Sequence, residues 1–124
     1  MADRFLGFRF NTNNGFDHLA CAVAASAVAD NCRKVNALPA GATVVVLAKK
    51  GERYMVVSGT ATGRLLEVKP QEIWAEWAIT DTLVHEVVFK TKPVFVPADI
   101  ARRATNNISA EHAEELAYFA FANG

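Results

Sequence analysis

The stretch 43–59 most constrains what this chain can fold into. Residues 43–48 (TVVVLA) are β-branched and apolar, Lys49-Lys50-Gly51-Glu52 is polar and contains glycine, and 53–59 returns to strand-like composition. β-Branched side chains suit a pleated surface, and two such runs joined by a short polar break containing glycine make a hairpin. With a hairpin at its centre the chain must build a sheet, and the remaining segments are read by what they add to it.

Upstream, residues 5–10 (FLGFRF) are aromatic and end in Asn11, Thr12, Asn13, Asn14 and Gly15, which predicts a strand running into a turn. Phe16, Leu19, Ala20, Val23, Ala24, Ala27 and Val28 then recur at helical spacing, with Asn14 placed to cap the helix and Asp17 in its first turn. The pattern predicts one helix through Cys21 and Cys32 to the turn at 38–41. On that continuous helix the two cysteines stand about 16 Å apart along the axis. This is too far for a disulfide, so both are expected as buried thiols.

Downstream, a third strand is predicted over 61–68 after Ser58-Gly59-Thr60. Pro70 breaks it, and 71–79 forms a short helix or ordered loop carrying Trp74 and Trp77. Residues 83–91 read as a strand with His85, Val87 and Phe89 on one face and Val84, Glu86 and Val88 on the other. Pro93 and Pro97 frame 94–96 as an edge or a turn, because proline cannot donate to a central ladder. Residues 99–103 read as one or two helical turns. Ser109 caps a closing helix whose Ala113, Leu116, Ala117 and Ala120 face the core, with Ile108 and Ala113 as a staple across the cap. The order predicts one α+β domain over 1–124, a twisted, partly closed β-barrel flanked by helices.

Thirteen basic and thirteen acidic side chains give a formal charge of zero. That argues against holding long duplexes by phosphate neutralisation alone. The distribution is uneven: Lys49, Lys50, Arg53, Arg64, Lys69, Lys90, Lys92, Arg102 and Arg103 fall between 49 and 103, and Glu111, Glu114 and Glu115 near the end. A local basic face and an ordinary solvated surface are both compatible with this. The apolar stretches fall short of the ~20 residues that span a bilayer, and residues 1–15 show no leader pattern. A cytoplasmic protein with no membrane partner is the expectation.

Catalytic signatures are mostly absent: the sequence holds no phosphate-cradling glycine loop, HExxH, CxxC or GxSxG. His18, His85 and His112 stand in three different segments, so no metal or other cofactor is implied and binding rather than catalysis is expected. Trp74 and Trp77 are the sharper feature. At a spacing of three they share a face if helical, offering flat apolar surfaces for a planar ligand, or for a methylated or cationic group. Packing against the sheet explains the same spacing equally well.

Taken together, the junction Phe8-Arg9-Phe10-Asn11-Thr12-Asn13-Asn14-Gly15, the tryptophan segment 71–78 after the central strands, and the stretch 85–100 before a capped last helix resemble the PUA-like superfamily. Within it the likeness is to the YTH and EVE branch of modified-base readers. The resemblance implies a PUA-like barrel and an aromatic pocket around a methylated base that is flipped out or single-stranded. Trp74 and Trp77 match the tryptophan segment at closer spacing than in YTH domains. Asn11 and Thr12, with Asn13 and Asn14 beside them, match the junction that contacts the base edge, where Arg9 and Phe10 stand nearest to the family's junction tryptophan. Lys49, Lys50, Arg102 and Arg103 are then candidates for the flanking phosphates. The implied partner is DNA or RNA carrying a modified base, in a modification-dependent restriction or counter-defence setting and with room for a protein partner in a larger assembly. A protein-interaction module or inhibitor anchored by the two tryptophans is the competing reading. A small-molecule site or enzyme using His18, His85 and Cys21 is a third.

Overall fold

The computed structural model describes residues 5–10, 15–28, 38–67, 83–102 and 108–124. Its elements are β1 (Phe5–Phe10), α1 (Gly15–Ala25), β2 (Ala27–Val28), β3 (Thr43–Lys50), β4 (Arg53–Glu67), β5 (Leu83–Phe89), β6 (Val94–Val96), α2 (Ala98–Ala101) and α3 (Ala110–Asn123). They form an α+β structure around one mixed sheet in the order β1-β3-β4-β5-β2, with β6 beside β4. β1 runs parallel to β3, and the other pairings are antiparallel. A parallel pair needs a crossover, and α1 lies within it.

The expected central hairpin is β3 and β4, closed by the pair Lys50 and Arg53. Gly51 opens the two-residue turn at φ +62, a value that side chains with a Cβ rarely adopt. Both faces of β3 are covered. Val44, Val46 and Ala48 join Phe8, Leu19, Ala22 and Val57 in a core on the α1 side, while Val45 and Leu47 join Tyr54, Val56 and Leu116 on the α3 side. This two-sided burial explains why the strand is an unbroken apolar run rather than an alternating one.

α3 packs through the expected stripe. Ala113, Leu116, Ala117 and Ala120 are all fully buried, and the Ser109 hydroxyl accepts the His112 backbone N–H at 3.1 Å. Ile108 and Ala113 belong to the same core, as a staple across that cap requires.

Three expectations are revised. The first helix ends at Ala25, not beyond Cys32: Ser26 takes a left-handed conformation at φ +53, and Ala27 and Val28 pair with Glu86 and His85 of β5. Left-handed backbone costs roughly 1–2 kcal/mol; the Val87 N–H bond to the Ser26 carbonyl at 2.9 Å and the β2 pairing offset it. The distance argument against a disulfide therefore lapses, although Cys21 itself is a free, half-buried thiol and Cys32 lies outside the described residues. Secondly, the strands predicted either side of Ser58-Gly59-Thr60 are one strand, β4, with a register shift between Ala61 and Leu65. Finally, the sheet is open among the described residues, with β1 and β2 at the two ends of its path, so the barrel closure expected from the sequence is not seen there. None of the described helices is long and apolar enough to cross a membrane.

Candidate nucleic-acid interface

Because β1 and β3 are parallel and in register from Phe5 and Thr43 to Phe10 and Ala48, both strands finish at the same end of the sheet. β1 ends there at Phe10, and α1 begins at Gly15. β3 continues two residues further into Lys49 and Lys50 and turns. The end of β1 and the basic hairpin tip are thus brought to one end by the sheet register alone. β6 closes the group from the other side, since Met55 pairs with Phe95 and Tyr54 with Val96.

Strand alternation distributes the cations. Lys49 follows Val45 and Leu47 on the α3 side, opposite Tyr54, and its ammonium lies 6.0 Å from the Tyr54 ring. The Arg102 guanidinium reaches the same ring from the end of α2, at 5.9 Å, and its Nε donates to the Tyr54 hydroxyl at 3.3 Å. That hydrogen bond, followed by the field of Tyr54, raises the Arg102 pKa above its ordinary value; Glu52 adds in the same direction and burial opposes. Arg102 is accordingly a fixed positive charge. Lys50 and Arg53 face each other on the α1 side, where Arg53 lies over the Phe95 ring at 4.2 Å. Phe16, the second residue of α1, meets Phe95 edge-on at 5.9 Å. Three cations therefore lie against two aromatic rings and Lys50 stands opposite one of these cations, Arg53, with the acidic Glu52 in the turn and Asp17 and Asp99 exposed.

α2 is positioned by His112. Its Nε2 lies 2.7 Å from the Ile100 carbonyl, a bond that requires the proton on Nε2. Its Nδ1 is buried with no partner among the described residues. The first turn of α3 thereby fixes the short helix that carries Arg102.

Of the residues singled out in the sequence for phosphate, Lys49 and Arg102 converge on Tyr54, and Lys50 lies on the opposite side of the same tip. Arg103 falls outside the described residues, as do the base-binding candidates Asn11, Thr12, Asn13, Asn14, Trp74 and Trp77. Arg53, Tyr54, Phe95 and Phe16 were not among the site candidates. Their partnership depends on the β4–β6 register, which leaves no local signal. Of the suspects for an enzyme, His18 is buried in α1, His85 is buried in β5 with Phe8 at 6.4 Å, and Cys21 is half-buried in α1. Among the described residues no three His, Cys, Asp or Glu side chains are grouped to hold a metal.

Comparison with protein-family models, with curated proteins and with solved structures finds no match for this chain.

Proposed function

We propose that this chain is a nucleic-acid-binding module of PUA-like, YTH- or EVE-like design that recognises a methylated base in an aromatic pocket. In this reading Trp74 and Trp77 hold the base and residues 11–14 contact its edge. One observation carries the proposal. The sheet register brings the end of β1, which the Asn-rich stretch follows in sequence, to the same end as Lys49 and Lys50, and Tyr54 gathers Lys49 and Arg102 there, which supports a phosphate footprint at that end.

Phosphate contacts fix register while base contacts specify, and a small basic end on a neutral protein suits a short, extruded or unpaired site better than a long duplex. Lys49 and Arg102 supply charge beside a ring that orders them. The setting proposed is modification-dependent restriction or counter-defence. The competing reading, a protein-interaction module, has its own observation: Tyr118 and Phe121 are exposed on the outer side of α3, with Phe5 edge-on to Tyr118 at 6.2 Å.

Titration of labelled oligonucleotides of one sequence, unmodified or carrying N6-methyladenine or 5-methylcytosine, separates the two readings. The pocket predicts about a ten-fold preference for one methylated strand, worth about 1.4 kcal/mol, abolished by Trp77→Ala. Equal weak affinity for every strand, unchanged by Trp77→Ala, contradicts the pocket. A partner captured without nucleic acid and lost on Tyr118→Ala favours the protein-interaction reading.

A further inference from the structure

We propose that Arg53 and Phe95 form a stacking platform for an unpaired base of a single strand, distinct in its residues from the methyl-base pocket. This rests on the nucleic-acid reading above and adds the form of nucleic acid that the site accepts.

The platform is built from an edge. Phe95 is the middle residue of the three-residue strand β6 and is 51% exposed, a large apolar ring left half in water. The Arg53 guanidinium carbon lies over it at 4.2 Å from the ring centroid, well within cation–π range. That contact restricts the rotamers of the arginine before any ligand arrives. Arg53 is itself exposed at the start of β4. Phe16 packs edge-on against the same ring and ties the platform to the start of α1, one residue after Gly15 and the polar junction.

The hairpin supplies the second argument. Its closing pair is Lys50 opposite Arg53, and like charges directly across a ladder oppose folding. An anion seated between them removes that repulsion. A phosphate beside a base does so while the base covers the outer plane of the guanidinium, giving a base–guanidinium–phenyl stack. An acidic peptide would satisfy the two charges but has no group that uses the aromatic support. A duplex has its bases already stacked and could offer only phosphates. The combination of planar cation, exposed ring and neighbouring lysine therefore selects a single strand.

The test uses the full chain and unmodified twelve-residue strands, so that it does not depend on methyl recognition. Anisotropy titrations of oligo-dT and oligo-rU are compared with a twelve-base-pair duplex and a polyglutamate peptide over a range of salt. The platform predicts that single strands bind more tightly than duplex, and that Phe95→Ala and Arg53→Lys each weaken them about ten-fold. Arg53→Lys keeps the charge, so the salt slope should stay unchanged, whereas Lys50→Gln should reduce it by about 0.7. Phe95→Leu preserves an apolar edge and should behave like Phe95→Ala in binding while melting like the wild type. Duplex bound as tightly as single strand, or wild-type affinity in both platform variants, overturns the proposal. So does polyglutamate binding that depends on Arg53 but not on Phe95, which would assign the tip to an acidic peptide. Methyl preference that persists while the platform variants have no effect sinks the platform alone. Loss of methyl preference with a working platform sinks only the pocket.

Discussion

Leu116→Ala is expected to cost the fold about 3–5 kcal/mol, the upper part of the range for a buried leucine. Leu116 is fully buried, and the rest of the inner stripe of α3 is Ala113, Ala117 and Ala120. Alanines let the helix approach β1, β3 and β4 closely, so one large side chain fills the space that the stripe leaves open. Small neighbours cannot lengthen to close the cavity, and Val45, Leu47 and Val56 are held in the sheet. Urea unfolding should show a lower midpoint with an unchanged slope, since the surface exposed on unfolding hardly changes. A loss below about 1 kcal/mol would mean that α3 collapses freely onto the sheet.

Gly59→Ala should be nearly as damaging, at about 2–3 kcal/mol, though it adds only one methyl group. Gly59 pairs with Val44 on one side and Phe89 on the other. An added Cβ would stand 2.5 Å from the Val88 carbonyl oxygen and 2.7 Å from the Phe89 Cα, both backbone atoms that no rotamer change can move. The next residues make the site less yielding still. The Ser58 carbonyl accepts Lys90 and Thr91 N–H groups at 2.9 and 3.3 Å, its N–H donates to the Thr91 hydroxyl at 3.0 Å, and its own hydroxyl donates to the buried Val44 carbonyl at 3.1 Å. Here β4 exchanges β5 for β6 as its neighbour. Relief of the clash must push the end of β5 outward, and with it the turn that delivers Phe95. Unfolding should therefore report the stability loss, and single-strand binding should weaken as well. Wild-type stability would show that the two strands have room which the register denies.

Gly59 also shows why parts of this fold could be read from the sequence and others not. Ser58-Gly59-Thr60 has turn chemistry, and its neighbours predict two strands. The glycine instead serves close approach between strands, a tertiary cause without local trace. The end of α1 is hidden in the same way. Ala20 to Ala29 contains neither Gly nor Pro, and the helix stops at Ala25 because β5 offers Ala27 and Val28 a ladder. β1, the hairpin, β6 and the Ser109 cap were legible because each depends on residues adjacent in the chain: β-branched runs, turn glycines, flanking prolines and a hydroxyl three residues before an open N–H.

The site divides along the same line. Lys49 and Lys50 could be picked out as a basic turn, but their separation onto two sides of the tip follows from strand alternation once the register is known. Tyr54, beside Lys49, meets Arg102 across 48 residues, and Arg53 meets Phe95 only because β6 returns to the start of β4. Trp74, Trp77 and residues 11–14 prompted the functional reading from the sequence. The charged and aromatic groups around the hairpin tip are a separate feature that only the strand register reveals.

The most direct test is amide chemical-shift mapping of the full chain during titration with a short single strand carrying a methylated base. The account predicts that the shifted amides cluster around Lys49, Lys50, Arg53, Phe95, Arg102 and the first turn of α1, together with Trp74 and Trp77. Thr43, Gly41 and the outer side of α3 should stay unmoved. Shifts confined to Tyr118 and Phe121, or to the Gly41 end of the sheet, would contradict it.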